Sequence, residues 1–301
     1  MKWYRGKLKM NGLSICIPVY NYNCINSVKE LCHQIESLSL IAELLVVDDA
    51  SSIELNDLQN YKNPIYSYEK LRGNIGRSKI RNFLVKKAKF DCVLFIDGDS
   101  KTPKDFIKNY ITAAEAYPNT IIYGGTIHNT PTSKKDKLRY NYGVKFEYKN
   151  KIYRNKKPYH SFRTNNFFSP KYIVEQIPFN EKLNYYGQED TFFGYELKNS
   201  NIDILHIENP VIHLDSDSNE AYLAKTKCSI ENLIFLKNEY PDFTNYHKLL
   251  SLIDSFSFLK TRFIKKISKV IFKPFWAISK KTSNPYSLQL FKIFYILSIY
   301  K

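Results

Sequence analysis

The chain has 301 residues, is 44% hydrophobic and carries a net charge of +16, which leaves ample apolar content for a large core and excludes a disordered polyelectrolyte. The charge is concentrated: ten Lys/Arg and no Asp/Glu lie beyond Asp254, ten Lys/Arg against Asp136 and Glu147 lie between residues 134 and 157, and the remainder is close to neutral. Five cysteines (Cys16, Cys24, Cys32, Cys92, Cys228) with no CxxC pair exclude a disulfide framework or a zinc ribbon and fit a reducing compartment. No stretch reaches the roughly 18 apolar residues of a spanning helix, and Leu13–Val19 is too short for a signal peptide.

In chain order, Leu13–Val19 reads as a buried strand ending in Pro18-Val19-Tyr20-Asn21. Val28, Leu31, Ile35 and Leu38 set a helical period over Asn26–Leu38. A second buried strand, Glu43–Val47, runs into Asp48-Asp49-Ala50-Ser51. Ile65–Tyr68 is a short third strand. Arg72-Gly73-Asn74-Ile75-Gly76-Arg77 introduces a helix through Ala88. Cys92–Ile96 is a fourth strand that runs into Asp97-Gly98-Asp99. Thr102 and Pro103 are read as the cap and first turn of a helix ending near Pro118, and Thr120–Tyr123 is a fifth strand. The alternation predicts a mostly parallel, three-layer α/β domain with two acidic clusters at one sheet edge, where such sheets bind ligands. No GxGxxG or GxxxxGK[ST] is present.

Asp97 and Asp99 repel one another and, as hard oxygen donors, suit Mg²⁺ or Mn²⁺ shared with a nucleotide diphosphate; the alternative is a solvated Asp-Gly turn. After residue 125 the period is lost, and 126–160 reads as a mobile loop or hairpin. Phe162–Ser169 is strand-like with adjacent amides at Asn165 and Asn166. Gly187 precedes a helix whose first turn carries Glu189 and Asp190, kept ionised by the dipole or serving as plain capping. Ile202–Ile207 is a further strand, followed by Asn209–Asp215 with His213. Beyond Phe256, Leu259, Phe263, Ile264, Ile267, Val270 and Ile271 share one helical face. Arg262, Lys265, Lys266, Lys269 and Lys273 lie on another, with Pro274 ending or kinking the helix. Leu288–Ile299 is a second apolar stretch. This basic amphipathic tail suits either an anionic membrane surface or packing against the rest of the protein.

The ordered set Pro-Val-Tyr-Asn, Val-Val-Asp-Asp-Ala-Ser, Arg-Gly-Asn-Ile-Gly with Arg81-Asn82, Asp-Gly-Asp, Gly-Gln-Glu-Asp and a late His213 resembles the family 2 glycosyltransferases over about residues 13–215. The match is poor across 126–160 and does not cover the C-terminal segment. The resemblance implies a GT-A fold, a three-layer α/β/α sandwich with a basic helical extension. It implies a catalytic domain over 1–220, with a nucleotide-sugar half at 13–125 and an acceptor half at 126–220, and the extension at 221–301. It further implies inverting transfer from a nucleotide-sugar, UDP-sugar favoured, to a glycan or lipid-linked oligosaccharide acceptor, as in bacterial surface polysaccharide synthesis. By resemblance, Pro18, Tyr20, Asn21, Asp49 and Asn74 line the donor base pocket and its surroundings. Arg77 or Arg81 approaches the diphosphate, and Asn165 and Asn166 contact donor sugar or acceptor. Asp97 faces ribose and metal, Asp99 binds a Mn²⁺ or Mg²⁺ ion with His213 as a further ligand, and Asp190 is the catalytic base with Glu189 beside it. The implied location is cytoplasmic, on the inner face of the membrane where the tail binds it, with no nucleic-acid partner. Two alternatives stay open. A sugar-nucleotide nucleotidyltransferase would want a Gly-rich loop that the first strand lacks. A nucleic-acid-binding protein would leave the carboxylates unexplained, since they repel phosphate.

Overall fold

A computed structural model describes residues 10–131, 137–183, 186–214 and 217–300. The basic N-terminus, residues 132–136 of the basic central segment, and Tyr185 and Asp215 of the expected motifs lie outside the described residues. The chain divides into two compact units: residues 1–127, 149–182 and 189–214, and residues 128–148, 183–188 and 215–301.

The first unit is built on a seven-stranded sheet. Its strands are β1 (Leu13–Val19), β2 (Ala42–Asp48), β3 (Tyr66–Lys70), β4 (Cys92–Ile96), β6 (Ile121–Tyr123), β8 (Asn166–Pro170) and β9 (Ile204–His206), in the order β3-β2-β1-β4-β8-β6-β9. Four pairings are parallel, and β8 runs antiparallel to both β4 and β6. That reversal brings the start of β8 beside the end of β4, with Asn166 opposite Ile96. A small sheet of β5 (Ser100–Lys101), β10 (Val211–His213) and β7 (Thr126–His128) follows the order β5-β10-β7.

Alternate side chains of the continuous apolar strands divide between two cores, as a sheet covered on both faces requires. Ile15, Ile17, Leu94 and Ile96 face Val28 and Leu31 of α1 (Ile25–Ser37) and Phe106 and Tyr110 of α4 (Phe106–Ala116). Cys16, Val47, Val93 and Phe95 face the opposite layer, with Ile80 and Leu84 of α3 (Arg77–Lys87), Ile173 of α8 (Lys171–Gln176) and Phe193 of α9 (Glu189–Asn199). Phe179 stacks on Phe193 at 4.4 Å and Phe95 on Phe167 at 5.0 Å, so this second layer is held largely by rings.

Some local expectations are corrected. α4 begins at Phe106 after Asp105, so Thr102 does not cap it; its hydroxyl is buried instead. Much of 126–160 is helical rather than loop. α5 (Lys137–Tyr142), a π-helical turn (Gly143–Glu147), α6 (Lys151–Lys156) and α7 (Pro158–Ser161) occupy it, and the strand-like run after it becomes β8 only from Asn166.

In the second unit, α5 and its π-helical turn accompany α10 (Asn219–Glu239), α11 (Phe243–Tyr246), α12 (Lys248–Ser255), α13 (Arg262–Thr282) and α14 (Pro285–Ile299). Asn219 ties three of these segments: its carbonyl accepts from Leu138 N at 2.9 Å, and its amide donates to Ser283 Oγ at 2.7 Å. α13 runs through Pro274 instead of ending there. Pro274 and Val270 are both exposed, so water can reach the Val270 carbonyl that a proline leaves without its N–H. Ser283 in the left-handed region and Asn284 capping Tyr286 N at 2.8 Å turn the chain from α13 into α14. The two helices join through Phe275 stacked on Phe294 and a buried Ser279–Ser287 hydroxyl pair at 2.6 Å.

Candidate active site

The carboxyl ends of β2 and β4 supply the acidic residues, because buried strands can shed their charged residues only where they leave the sheet. At the β2 exit, Asp48 is fully buried. It accepts from Ser51 N at 2.8 Å, Ser51 Oγ at 2.6 Å and the Tyr68 hydroxyl at 2.9 Å. Asp49 turns the other way and accepts from Ile75 N at 2.7 Å and Gly76 N at 3.0 Å, which fixes the loop that opens α3. Burial raises its pKa against the pull of those two donors. Asn21, at φ 53°, accepts from Ser52 N at 2.7 Å, so the exits of β1 and β2 are laced together. Tyr20 and Asn74 are exposed and Pro18 is half-buried at this edge.

At the β4 exit, Gly98 brings the chain close to β1, where an added Cβ would lie 3.1 Å from Val19. Asp97 accepts from Arg81 Nη2 at 2.7 Å, and Arg81 is 3% exposed against 23% for the carboxylate. Asp99 Oδ1 lies 3.2 Å from His213 Nδ1. This proximity is built by backbone: β5 and β10 pair antiparallel with His213 opposite Ser100, and Leu214 N donates to the Asp99 carbonyl at 2.8 Å. Of the three expected metal ligands the fold therefore brings two together and gives the third to an arginine. Among the described residues no group of three or more His, Cys, Asp and Glu side chains forms a cation cage. A carboxylate oxygen beside an imidazole nitrogen fits an ion that completes its shell from water and substrate phosphates.

The N-terminus of α9 supplies the second acidic pair. Glu189 is buried and accepts from Arg77 Nη1 at 3.0 Å; Arg77 itself is half-exposed. Asp190 accepts from Thr164 N at 3.3 Å and in a short contact from the Thr164 hydroxyl. Burial works to raise the Glu189 carboxyl, but the Arg77 and Arg81 guanidiniums more than offset it and hold it below the usual range. Asp190 moves the other way: burial first, then the Glu189 charge, raises it, against the opposing pull of Arg163, Thr164 and Arg81. Arg81 thus stands between Asp97 and the α9 pair and links the two acidic groups electrostatically.

The family profile described as glycosyl transferase family 2 matches residues 14–175. The chain belongs to this family. Curated proteins yield no match. Among solved structures, the chain is similar to S. aureus TarS, at 19% identity over 74% of this chain and 40% of that one, with a TM-score of 0.49. It thus spans about two fifths of TarS.

As a family 2 glycosyltransferase the chain has the GT-A fold, with α-helical layers on both faces of its mostly parallel sheet. The expected donor residues divide by placement. Tyr20, Asn74 and Arg77 are open to solvent, whereas Arg81 is not. Asn165 carries a buried carbonyl oxygen with no hydrogen-bond partner among the described residues, while its amide donates to Thr126 Oγ1 at 2.8 Å. Asn166 is fully buried with its amide spent on the Gly125 and Asn209 carbonyls and its oxygen on Tyr110, so it fastens β8 rather than facing the edge. Sequence reasoning passed over Thr164 and Arg163, which hold and bias Asp190. Neither stands in a charged or repeated motif, and only the fold brings them to α9.

Proposed function

We propose that this glycosyltransferase binds a UDP-sugar across the β1–β2–β4 edge and transfers the sugar, with inversion, to a hydroxyl of a glycan or lipid-linked acceptor. Bacterial surface polysaccharide assembly is the setting. The observation that carries the reading is the split of the Glu189–Asp190 pair. The two neighbours sit in one buried site, yet Glu189 is biased toward its anion by two guanidiniums and Asp190 toward the higher pKa of a working base. Asp190 would take the acceptor O–H proton as that oxygen bonds to the anomeric carbon and the carbon–phosphate oxygen bond breaks, releasing UDP. One displacement without a covalent intermediate inverts the anomeric centre.

Asp99 and His213 would hold a Mn²⁺ or Mg²⁺ ion. Bound there, the ion would neutralise the charge developing on the departing diphosphate. Asp97, oriented by Arg81, would lie toward the ribose, and Asp49 would read the base. The nucleotidyltransferase reading is disfavoured by the β1 exit, where Pro18-Val19-Tyr20-Asn21 is no Gly-rich phosphate loop, and the nucleic-acid reading by a site that places anions where a basic protein would need cations.

Calorimetric titration of UDP and GDP, with and without Mn²⁺, into wild type and Asp99→Ala tests the proposal. The expected result is UDP binding that requires metal and is lost in the variant. Failure of folded wild type to bind either nucleotide with metal present would overturn it.

A further inference from the structure

The second unit carries, just before its last helix, one whose apolar residues are not all turned inward. At about 100° per residue, the buried residues of α13, Ser268 and Ser279, lie on one side with the half-buried Phe272 and Phe275. The residues that meet α14 thus include small hydroxyls, joined in the Ser279–Ser287 pair. On the far side Phe263 is 70% exposed and Val270 67%, and Ile278 is also exposed. These three, with Pro274, fall within an arc of about 80°. A helix of a water-soluble domain ordinarily buries its apolar stripe and exposes the polar one. Here three large apolar residues are left outside.

The neighbouring arc is basic. Arg262, Lys266, Lys269 and Lys273 fall within about 60° of one another and span roughly 16 Å of helix. Among the described residues none of the four has an acidic partner. Other tail cations are committed: Lys280 pairs with Glu220, Lys260 with Asp254, and Lys292 donates to the Tyr142 hydroxyl. The segment just before α13 adds Phe256 and Phe258, both exposed. No helix among the described residues is long and apolar enough to cross a membrane.

An exposed apolar stripe beside an unpaired cationic stripe calls for a partner that offers an apolar depth and an anionic surface side by side. A nucleic-acid backbone satisfies the lysines and leaves Phe263 and Val270 in water. A second copy of this helix covers the apolar stripe but sets like charges together. An anionic bilayer satisfies both, with the helix lying in the interface plane, Phe263, Val270 and Ile278 inserted and the Arg262–Lys273 row at the headgroups. We infer that the outward face of α13 is a docking surface for anionic lipid.

Full-length protein would be sedimented with vesicles of phosphatidylcholine alone and with 30 mol % phosphatidylglycerol. Binding is expected only with the anionic lipid and should weaken with salt. The Lys266→Gln/Lys269→Gln/Lys273→Gln variant should lose about a hundredfold in partitioning, at about fivefold for each charge near such a surface. Phe263→Ser/Val270→Ser should lose at least tenfold while keeping the wild-type unfolding temperature, since both side chains are already exposed in the folded state. Anionic-vesicle binding unchanged by the apolar pair would overturn the inference. So would binding of duplex DNA or RNA at least as tight as the vesicle binding, or a dimer that the apolar pair dissociates in protein that does not bind vesicles.

Discussion

The acidic clusters at the ends of β2 and β4 look alike in sequence and are satisfied in opposite ways. Asp48 and Asp49 receive neutral donors: a serine, a tyrosine hydroxyl and three backbone N–H groups, all from their own exit turn or the adjoining strand and loop. Asp97 and Asp99 face charged or chargeable partners from other elements, Arg81 of α3 and His213 of β10. Neutral donors fix a carboxylate in place, Asp48 inside the scaffold and Asp49 against the loop that opens α3. Cationic partners and partial exposure leave it able to answer a ligand. Glu189 follows the second pattern and Asp190 lies between them, held by a threonine and biased by charges on both sides.

The largest break in this comparison should come from the responsive group. Asp190→Asn removes the proposed base and is expected to lower kcat by about 10²–10⁴-fold with little change in unfolding temperature, measured by steady-state transfer and by calorimetry. Asp99→Ala should lower activity by about 10³-fold, the scale of a clamp worth several kcal/mol at the leaving group, and no excess of Mn²⁺ should restore it. Asp48→Ala should do the reverse. It strands the buried Ser51 hydroxyl and N–H and the part-buried Tyr68 hydroxyl, so it should cost about 3 kcal/mol of stability, seen in denaturant unfolding. The fraction that remains folded should turn over at close to the wild-type rate. A destabilised Asp99→Ala with a stable Asp48→Ala would invert the comparison and sink it.

The sequence made this sheet edge visible because strand exits are written locally: an apolar run of four or five residues, Leu44–Val47 or Cys92–Ile96, followed at once by an aspartate. It could not separate Asp48 from Asp97, because what separates them is the partner, and Arg81 is 16 residues from Asp97 while His213 is 114 residues from Asp99. Asn165 and Asn166 were partly legible. Adjacent residues at the start of a strand point to opposite sides, so the two could not share one role, and the fold spends Asn166 on Tyr110 and two carbonyls. The helices of 137–161 were missed because they carry no apolar period. They are fastened by polar and ring contacts instead, such as Arg139 with Glu147 at 2.7 Å and Arg154 with the Ile207 carbonyl at 2.6 Å. The helical period of the tail gathers its apolar residues on one face, yet Ser268 and Ser279 mark the buried side, and tertiary packing rather than hydrophobicity decides which side that is.

The smallest effect is also the sharpest, because its sign reverses between two variants. If Asp190 is the base, transfer needs its anion, so kcat/KM should fall as pH drops through the Asp190 pKa. That fall should come above the ordinary carboxylate range, because burial and the Glu189 charge favour the protonated form. Glu189→Gln removes the second of those causes without emptying the site, and should move the acid limb to lower pH even as the rate plateau drops. Arg163→Ala removes a cation that favours the anion, and should move the limb to higher pH. Raised salt should narrow both displacements only slightly, since the pair is buried and poorly screened. Limbs that shift together, or a wild-type limb at the pH of an ordinary aspartate, would remove Asp190 from the role of base and leave Glu189, held anionic by Arg77 and Arg81, as the group to test next.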